Sequence, residues 1–371
     1  MKAVVLVGGE GTRLRPLTCK TSKAMVPILN MPFLEYLMRY LKEHGISDII
    51  LATSYLPEQI QDYFGDGAEL GLHLTYLIEK EPLGTAGAIK HAEASLDETF
   101  FVINGDVLTA IDLTAMMKRH REVKPRVSIA LTAVDNPTIY GVVETDARGM
   151  VKRFVEKPSR EQVTTNMINA GILIFEPEVL GYIPPSTPSS YERHLLPQFL
   201  KAGEPILGYT SDEYWIDIGT PEKYIRVQHD LLSGKAPSLS GYWGKLDEGA
   251  RVGSNSTIDP SAEIEGAVLI GEKCVIAKGA RVKGPAVLGA RCQVDQGALV
   301  EGAILWDDSH VGKKAMLSNC VLASHSYIQE GSQVTDNCVL GDNVVIGKNN
   351  KLAPGTRIWP DTQIAAATLS F

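Results

Sequence analysis

The sequence predicts an α/β domain built on a mainly parallel sheet, followed by a parallel β-helix. Three observations carry this. Apolar runs alternate with amphipathic stretches over about the first 130 residues, a glycine-rich loop follows the first apolar run, and aliphatic residues recur at every sixth position from about residue 250. Strand–helix alternation implies a sheet covered on both faces. Hexapeptide periodicity marks a chain wound into stacked coils, each burying aliphatic side chains against the next.

In chain order, the expected strands are "KAVVLV" (2–7), "DIILAT" (48–53), "LHLTYL" (72–77), "FFVIN" (100–104) and "RVSIALTAV" (126–134). Between them, "FLEYLMRYLKEH" (33–44), "PEQIQDYF" (57–64) and "TAGAIKHAEASL" (85–96) carry apolar residues at three-to-four spacing, the helical period. Ligands of such sheets sit at the carboxyl ends of the strands. The loop "GGEGTRLRPLT" (8–18) lies at one of those ends. Its glycines let backbone N–H groups approach an anion, and Arg13 and Arg15 add cations. The spacing fits neither the dinucleotide fingerprint nor the P-loop.

The hexapeptide phase runs unbroken through Val252, Ile258, Ile264, Ile270, Ile276, Val282, Leu288, Val294 and Val300. It slips by one residue to Leu305, Val311 and Leu317, then again to Leu322, Ile328, Val334, Leu340, Ile346, Leu352 and Ile358. Three hexapeptides per coil give about six coils. Cys274 and Cys292 stand 18 residues apart, as do Cys320 and Cys338, so each pair is expected to stack coil on coil as buried filler rather than as a disulfide.

A length of 371 residues allows two or three domains. The expected division is a catalytic domain over 1–233, a Ser-, Gly- and Pro-rich linker over 234–249, and a β-helix over 250–371. A formal net charge of −8 disfavours nucleic acid or an anionic membrane as partner, so a polyanionic substrate must meet a local cluster of cations. The apolar start is too short for a signal h-region, and nothing approaches a membrane span. Five cysteines without a C-x-x-C pair indicate neither zinc site nor disulfide framework. A cytoplasmic protein is the expectation.

Polar clusters punctuate the strands. Lys23 lies in "TSKAMVPILNMP" (21–32), Gly84 in "IEKEPLGTAGA" (78–88) and Asp106 in "INGDV" (103–107). "YGVVE" (140–144), "FVEKP" (154–158), "NAGI" (169–172) and "YWIDIG" (214–219) follow. Singly each is weak, since a strand-end Asp is usually a turn residue and Lys157 a solvated charge. Together and in this order they resemble the sugar-1-phosphate nucleotidylyltransferases, and most closely the mannose-1-phosphate guanylyltransferases with a C-terminal hexapeptide β-helix. The signature G-G-x-G-T-R-L-x-P-L-T stands at Gly8–Thr18. The later motifs L-G-T-A, Gly-Asp, E-K-P, N-A-G and W-x-D-x-G stand at Leu83–Ala86, Gly105–Asp106, Glu156–Pro158, Asn169–Gly171 and Trp215–Gly219. The family's lysine is flanked here by Ser22 and Ala24 in place of prolines.

The resemblance implies a Rossmann-like sheet domain, a left-handed β-helix, and a reaction of a nucleoside triphosphate (NTP) with a sugar 1-phosphate that gives an NDP-sugar and pyrophosphate. It implies that Gly8, Gly9 and Gly11 offer backbone donors to the triphosphate, and that Leu6, Thr12, Arg13, Glu79, Pro82, Gly84, Thr85 and Asp106 belong to the nucleotide site. Arg13 and Lys23 would stabilise the leaving pyrophosphate, and Asp106 and Asp217 would hold Mg²⁺. Lys157 would take the sugar's phosphate, with Gly141, Glu156, Asn169 and Gly171 shaping the sugar pocket. Members using thymidine or uridine nucleotides commonly carry a glutamine where this chain has Glu79. An acceptor-only carboxylate matches the adjacent N1–H and N2 donors of guanine, so GTP is the expected nucleotide. The alternatives are a thymidylyl- or uridylyltransferase acting on glucose 1-phosphate, or a β-helix with coenzyme A-dependent acyltransferase activity based on His310 or His325. A β-helix serving assembly or regulation in a homo-oligomer is preferred, and a chain ended near Gly234 is then expected to keep activity.

Overall fold

A computed structural model describes residues 1–185, 187–239, 241 and 249–368. The chain divides into two compact units that interleave along the sequence: 1–9 with 37–215, and 10–36 with 216–371.

The first unit is a nine-stranded sheet. Its parallel centre runs His73–Ile78, Asp48–Thr53, Lys2–Leu6, Phe100–Asn104, with Val4 opposite both Ile50 and Val102. These strands and the helices Phe33–Glu43, Pro57–Phe64 and Gly84–His91 follow the expected positions to within a few residues. The long strand Met167–Phe175 then adds antiparallel to Phe100–Asn104 and pairs with Val127–Ala133 and Gly141–Thr145, making the sheet mixed on that side. It is buried along most of its length, and Phe175 meets Phe100 edge-on at 6.0 Å between ring centroids. The sequence shows those residues as a motif, because a strand buried on both faces loses the alternation that identifies strands.

In the second unit, residues 250–364 form three stacks of short parallel strands, seven rungs on two faces and five on the third. Both of the longer faces exceed the expected six: the first already holds seven rungs from Val252 to Ile358, and the rung Gln363–Ile364 supplies the seventh on the second. Stacking register explains both phase slips. Val252, Ile270 and Leu288 align at intervals of 18, Leu288, Leu305 and Leu322 at 17, and Leu322, Leu340 and Ile358 again at 18. Each slip is thus a coil shortened by one residue. Most of these aliphatics are buried, but Val252 is 43% exposed because its coil has a neighbour on one side only. Cys274, Cys292, Cys320 and Cys338 are buried free thiols, stacked as expected: the Val275 amide bonds the Cys292 carbonyl and the Val321 amide that of Cys338.

Of the expected linker 234–249, residues 240 and 242–248 lie outside the described residues. The preceding helix Pro221–Leu232 packs against the rung Ala286–Leu288. Tyr224 of that helix donates to the Pro27 carbonyl (2.6 Å) and accepts from Trp306 Nε1 (2.9 Å). Buried Gln228 accepts from the Leu29 amide and donates to the Pro27 carbonyl, both at 2.8 Å. Asn30 donates to the Leu288 carbonyl (2.8 Å). The segment after the glycine-rich loop is therefore folded against the β-helix. Among the described residues, no helix is long and apolar enough to cross a membrane.

Candidate active site

In the first unit, several of the expected site residues gather at the carboxyl ends of the parallel strands. After Leu6 the chain turns through Gly8, whose carbonyl accepts from Ser54 Oγ (2.7 Å). Side-chain space there is small: a Cβ on Gly8 would stand 2.9 Å from that hydroxyl, whereas none lies near Gly9. The Gly105 amide bonds the Leu6 carbonyl at 2.9 Å, and a Cβ on Gly105 would fall 2.4 Å from Val7 Cγ1. Glycine is needed at 105 so that the two strand ends can touch. The next residue, half-buried Asp106, is thereby delivered to the rim of the sheet.

Glu79 follows the last parallel strand, and its Oε2 accepts from the Leu83 amide (3.0 Å), closing the turn that holds Pro82. Burial pushes its carboxyl up. Gly84 then opens a helix at φ +71°, with a would-be Cβ 2.6 Å from the Ser189 carbonyl. Gly84→Ala is expected to cost about 1–3 kcal/mol in strain alone, read as a lower midpoint in denaturant unfolding. Thr85 is engaged within the protein: it donates to Glu192 Oε2 (2.7 Å) and accepts from the Tyr191 amide (3.0 Å).

On the other side of the sheet, Asn169 Oδ1 accepts from the Gly171 amide (2.9 Å), and Gly171 takes φ +75° over Asn104. Buried Tyr191 donates to Asn104 Oδ1 (3.1 Å). Trp215 Nε1 donates to the Ala170 carbonyl (2.8 Å) and its ring meets Tyr140 edge-on at 5.5 Å. Gly141 leaves room for Phe154 and Glu156, since a Cβ there would stand 3.0 Å from Glu156 Oε2. Burial, together with the charge of Glu192, pushes the Glu156 carboxyl up. Lys157 sits in the left-handed region at φ +48°, its amide bonded to the Tyr140 carbonyl (2.9 Å), with its side chain 58% exposed and 3.9 Å from Glu156 Oε1. A lysine held at positive φ is a strained position that local structure over-determines, a feature that gathers at ligand sites.

The second unit holds Gly11, Thr12, Arg13, Lys23 and Asp217. Gly11 takes φ +63°, its carbonyl bound by buried Thr18 (2.8 Å), and a Cβ would crowd Lys23 Cβ at 3.1 Å. A single turn, Thr12–Leu14, is anchored by buried Leu14 and leaves Thr12 and Arg13 exposed. Lys23 opens a second short turn, Lys23–Met25. Asp217 is 7% exposed and ion-paired with Lys223 through Oδ1. A Cβ on Gly219 would lie 2.8 Å from Asp217 Oδ2 and 3.0 Å from Arg13 Nη2, so the bare Gly219 backbone brings guanidinium and carboxylate together.

Sequence reasoning missed Asn104, Tyr191, Glu192, Ser54 and Lys223. Asn104 lies inside a motif already noted, Ser54 directly follows an expected strand and Lys223 lies on the amphipathic helix Pro221–Leu232, while Tyr191 and Glu192 belong to a π-type turn, Tyr191–Leu195. His310 and His325 are accounted for by the coil. His310 stacks on Tyr327 at 4.3 Å beside Asp295, and His325 belongs to a corner ladder of positive-φ residues with Lys273, Arg291, Asp308 and Asn343. Among the described residues, no three His, Cys, Asp or Glu side chains gather as a metal cage.

Comparisons with known proteins agree with this architecture. The Nucleotidyl transferase family model matches residues 2–234, and the EIF2B subunit epsilon LbH domain, a left-handed β-helix, matches residues 248–352. The chain is similar to a mannose-1-phosphate guanylyltransferase of Mycobacterium tuberculosis, 40% identical over 72% of this chain and 79% of that one. It is also similar to a UTP–glucose-1-phosphate uridylyltransferase of Synechocystis, 35% identical over 73% and 74%. Among solved structures, HddC from Yersinia pseudotuberculosis complexed with GMP-PN is 33% identical, with a TM-score of 0.53, over 61% of this chain and 97% of that one. With a Rossmann-like sheet ending in a glycine-rich loop and a left-handed β-helix following in the chain, the protein belongs to the nucleotidyl transferase family, among the sugar-1-phosphate nucleotidylyltransferases.

Proposed function

We propose that the chain forms GDP-mannose and pyrophosphate from GTP and mannose 1-phosphate. The observation that carries this reading is Glu79, an acceptor directly after the strand His73–Ile78, in a chain 40% identical to a guanylyltransferase. Each carboxylate oxygen accepts more than one hydrogen bond, so Glu79 can hold the Leu83 amide and still face guanine.

A phosphate oxygen of the sugar phosphate attacks the α-phosphorus of GTP, and the bond to the β-phosphate breaks. The attacking oxygen is already ionised near neutral pH, so the protein supplies position and charge rather than a general base. The Gly8, Gly9 and Gly11 amides face the triphosphate, Arg13 and Lys23 take the charge of the departing pyrophosphate, and Lys157 holds the sugar phosphate. Gly141, Glu156, Asn169 and Gly171 line the sugar side. Asp106 and Asp217 are the hard oxygen donors for Mg²⁺, an ion that characteristically takes one or two carboxylates plus substrate phosphates. When bound, it neutralises phosphate charge at the reacting centre. We place the reaction in the cytoplasm, where nucleoside triphosphates are made. We also propose self-association through the β-helix, where Val252, Val275 and Met316 are exposed, to be checked by sedimentation.

The test is product identification and kcat/KM with GTP, UTP and dTTP, each paired with mannose 1-phosphate and glucose 1-phosphate. GTP with mannose 1-phosphate is expected to lead. Glu79→Gln keeps an acceptor for the Leu83 amide while losing the second one for guanine. The GTP/UTP ratio should therefore narrow by about tenfold or more, the scale of a good base contact. Preference of the unaltered enzyme for UTP or dTTP would promote the glucose 1-phosphate reading, which the Synechocystis relative favours.

A further inference from the structure

Arg357 lies on the last rung of the first β-helix face, Arg357–Ile358. Its Nη1 donates to the carbonyls of Arg13 and Arg15, both at 3.2 Å, across a separation of 344 and 342 residues. These carbonyls end the short turn Thr12–Leu14, where outgoing C=O groups lack partners within the turn. The same guanidinium places Nη2 3.9 Å from Glu222 Oε1, in the first turn of the helix that follows Gly219. A second strut runs beside it: Lys20 pairs with Asp361 at 2.6 Å, and Asn343 donates to the same carboxylate at 3.0 Å. One coil of the β-helix thus holds the segment that carries Arg13 at two points, the Arg13 and Arg15 carbonyls and the Lys20 ammonium.

We propose that Arg357 is a positioning residue for nucleotide binding: the last rung of the β-helix sets the turn that presents Arg13. The planar guanidinium suits this task, because one fork reaches two carbonyls and a carboxylate, whereas an ammonium is a point charge. The β-helix then acts on the reaction through the backbone of the glycine-rich loop and touches no substrate. The kinetic part of the test rests on the reading that Arg13 meets the nucleotide; the exchange part does not.

Amide hydrogen exchange of the full chain, without substrate, reads the turn directly. In Arg357→Ala the amides of residues 11–18 are expected to exchange about tenfold faster, with the β-helix core at its unaltered rate, since local opening is governed by the hydrogen bonds that hold that segment alone. KM for GTP should rise about tenfold while KM for mannose 1-phosphate holds, and Arg357→Lys should fall between the two. Unaltered exchange at 11–18, acceleration spread over the whole chain, or an equal rise in both KM values overturns the proposal. If Arg357→Ala does not fold, Arg357→Lys and Arg357→Gln carry the same readouts. Faster exchange at 11–18 in a protein whose parent turns over no sugar phosphate would sink the proposed function and leave the positioning role standing.

Discussion

Asp217→Asn is expected to lower kcat by about a thousandfold or more at saturating Mg²⁺, with the protein still folded. Asp217 is almost fully buried, with Lys223 on Oδ1 and Oδ2 turned to the Gly219 backbone where the Arg13 guanidinium also lies. Asparagine has the same shape, and its oxygen still accepts from the lysine ammonium. What disappears is the negative charge, which is the property a divalent cation requires of its ligand. Asp106→Asn is expected to behave alike, since the backbone contact of Gly105 with Leu6 holds that strand end in place. Steady-state turnover together with a thermal unfolding scan checks both. Turnover within tenfold of the parent, in a folded variant, removes that carboxylate from the site.

A chain ended after Gly234 is expected to lose its stable fold and its activity together. This reverses the expectation drawn from the sequence, where the β-helix looked separable. Residues 10–36 and the helix Pro221–Leu232 share one compact unit with the β-helix. Truncation removes Trp306 from buried Tyr224 and leaves Asn30 without the Leu288 carbonyl. Trp306→Ala isolates the largest piece of this. Trp306 is 5% exposed, its ring meets Tyr224 edge-on at 6.4 Å, and its indole N–H donates to the Tyr224 hydroxyl. Removing it should cost about 3–5 kcal/mol, the range for a buried Trp cut to alanine. Denaturant unfolding of Trp306→Ala and solubility of the truncated chain are the measurements; a soluble, active fragment would show that the catalytic part stands without the β-helix.

The β-helix was legible in the sequence almost residue by residue. Its period is local: each buried aliphatic sits one coil above the last, so even two shortened coils appear as two one-residue slips. The parallel strands and their helices were legible for the same reason, because periodicity records which face a nearby residue buries. The identities at the loop and the strand ends were legible as motifs, since a left-handed φ at Gly11, Gly84 and Gly171, or a Cβ-free contact at Gly105, admits glycine almost alone.

Tertiary structure alone decided the partners. No period links Thr85 to Glu192, Tyr191 to Asn104, or Arg357 to the carbonyls of Arg13 and Arg15. It also decided that the glycine-rich loop parts company with itself: Gly8 and Gly9 fold with the sheet, while Glu10 onward folds with the β-helix. The physical reason is that a hydrogen bond between distant segments leaves no mark on the spacing of either. A chain writes its local burial into its sequence pattern, and its long-range polar contacts only into its coordinates.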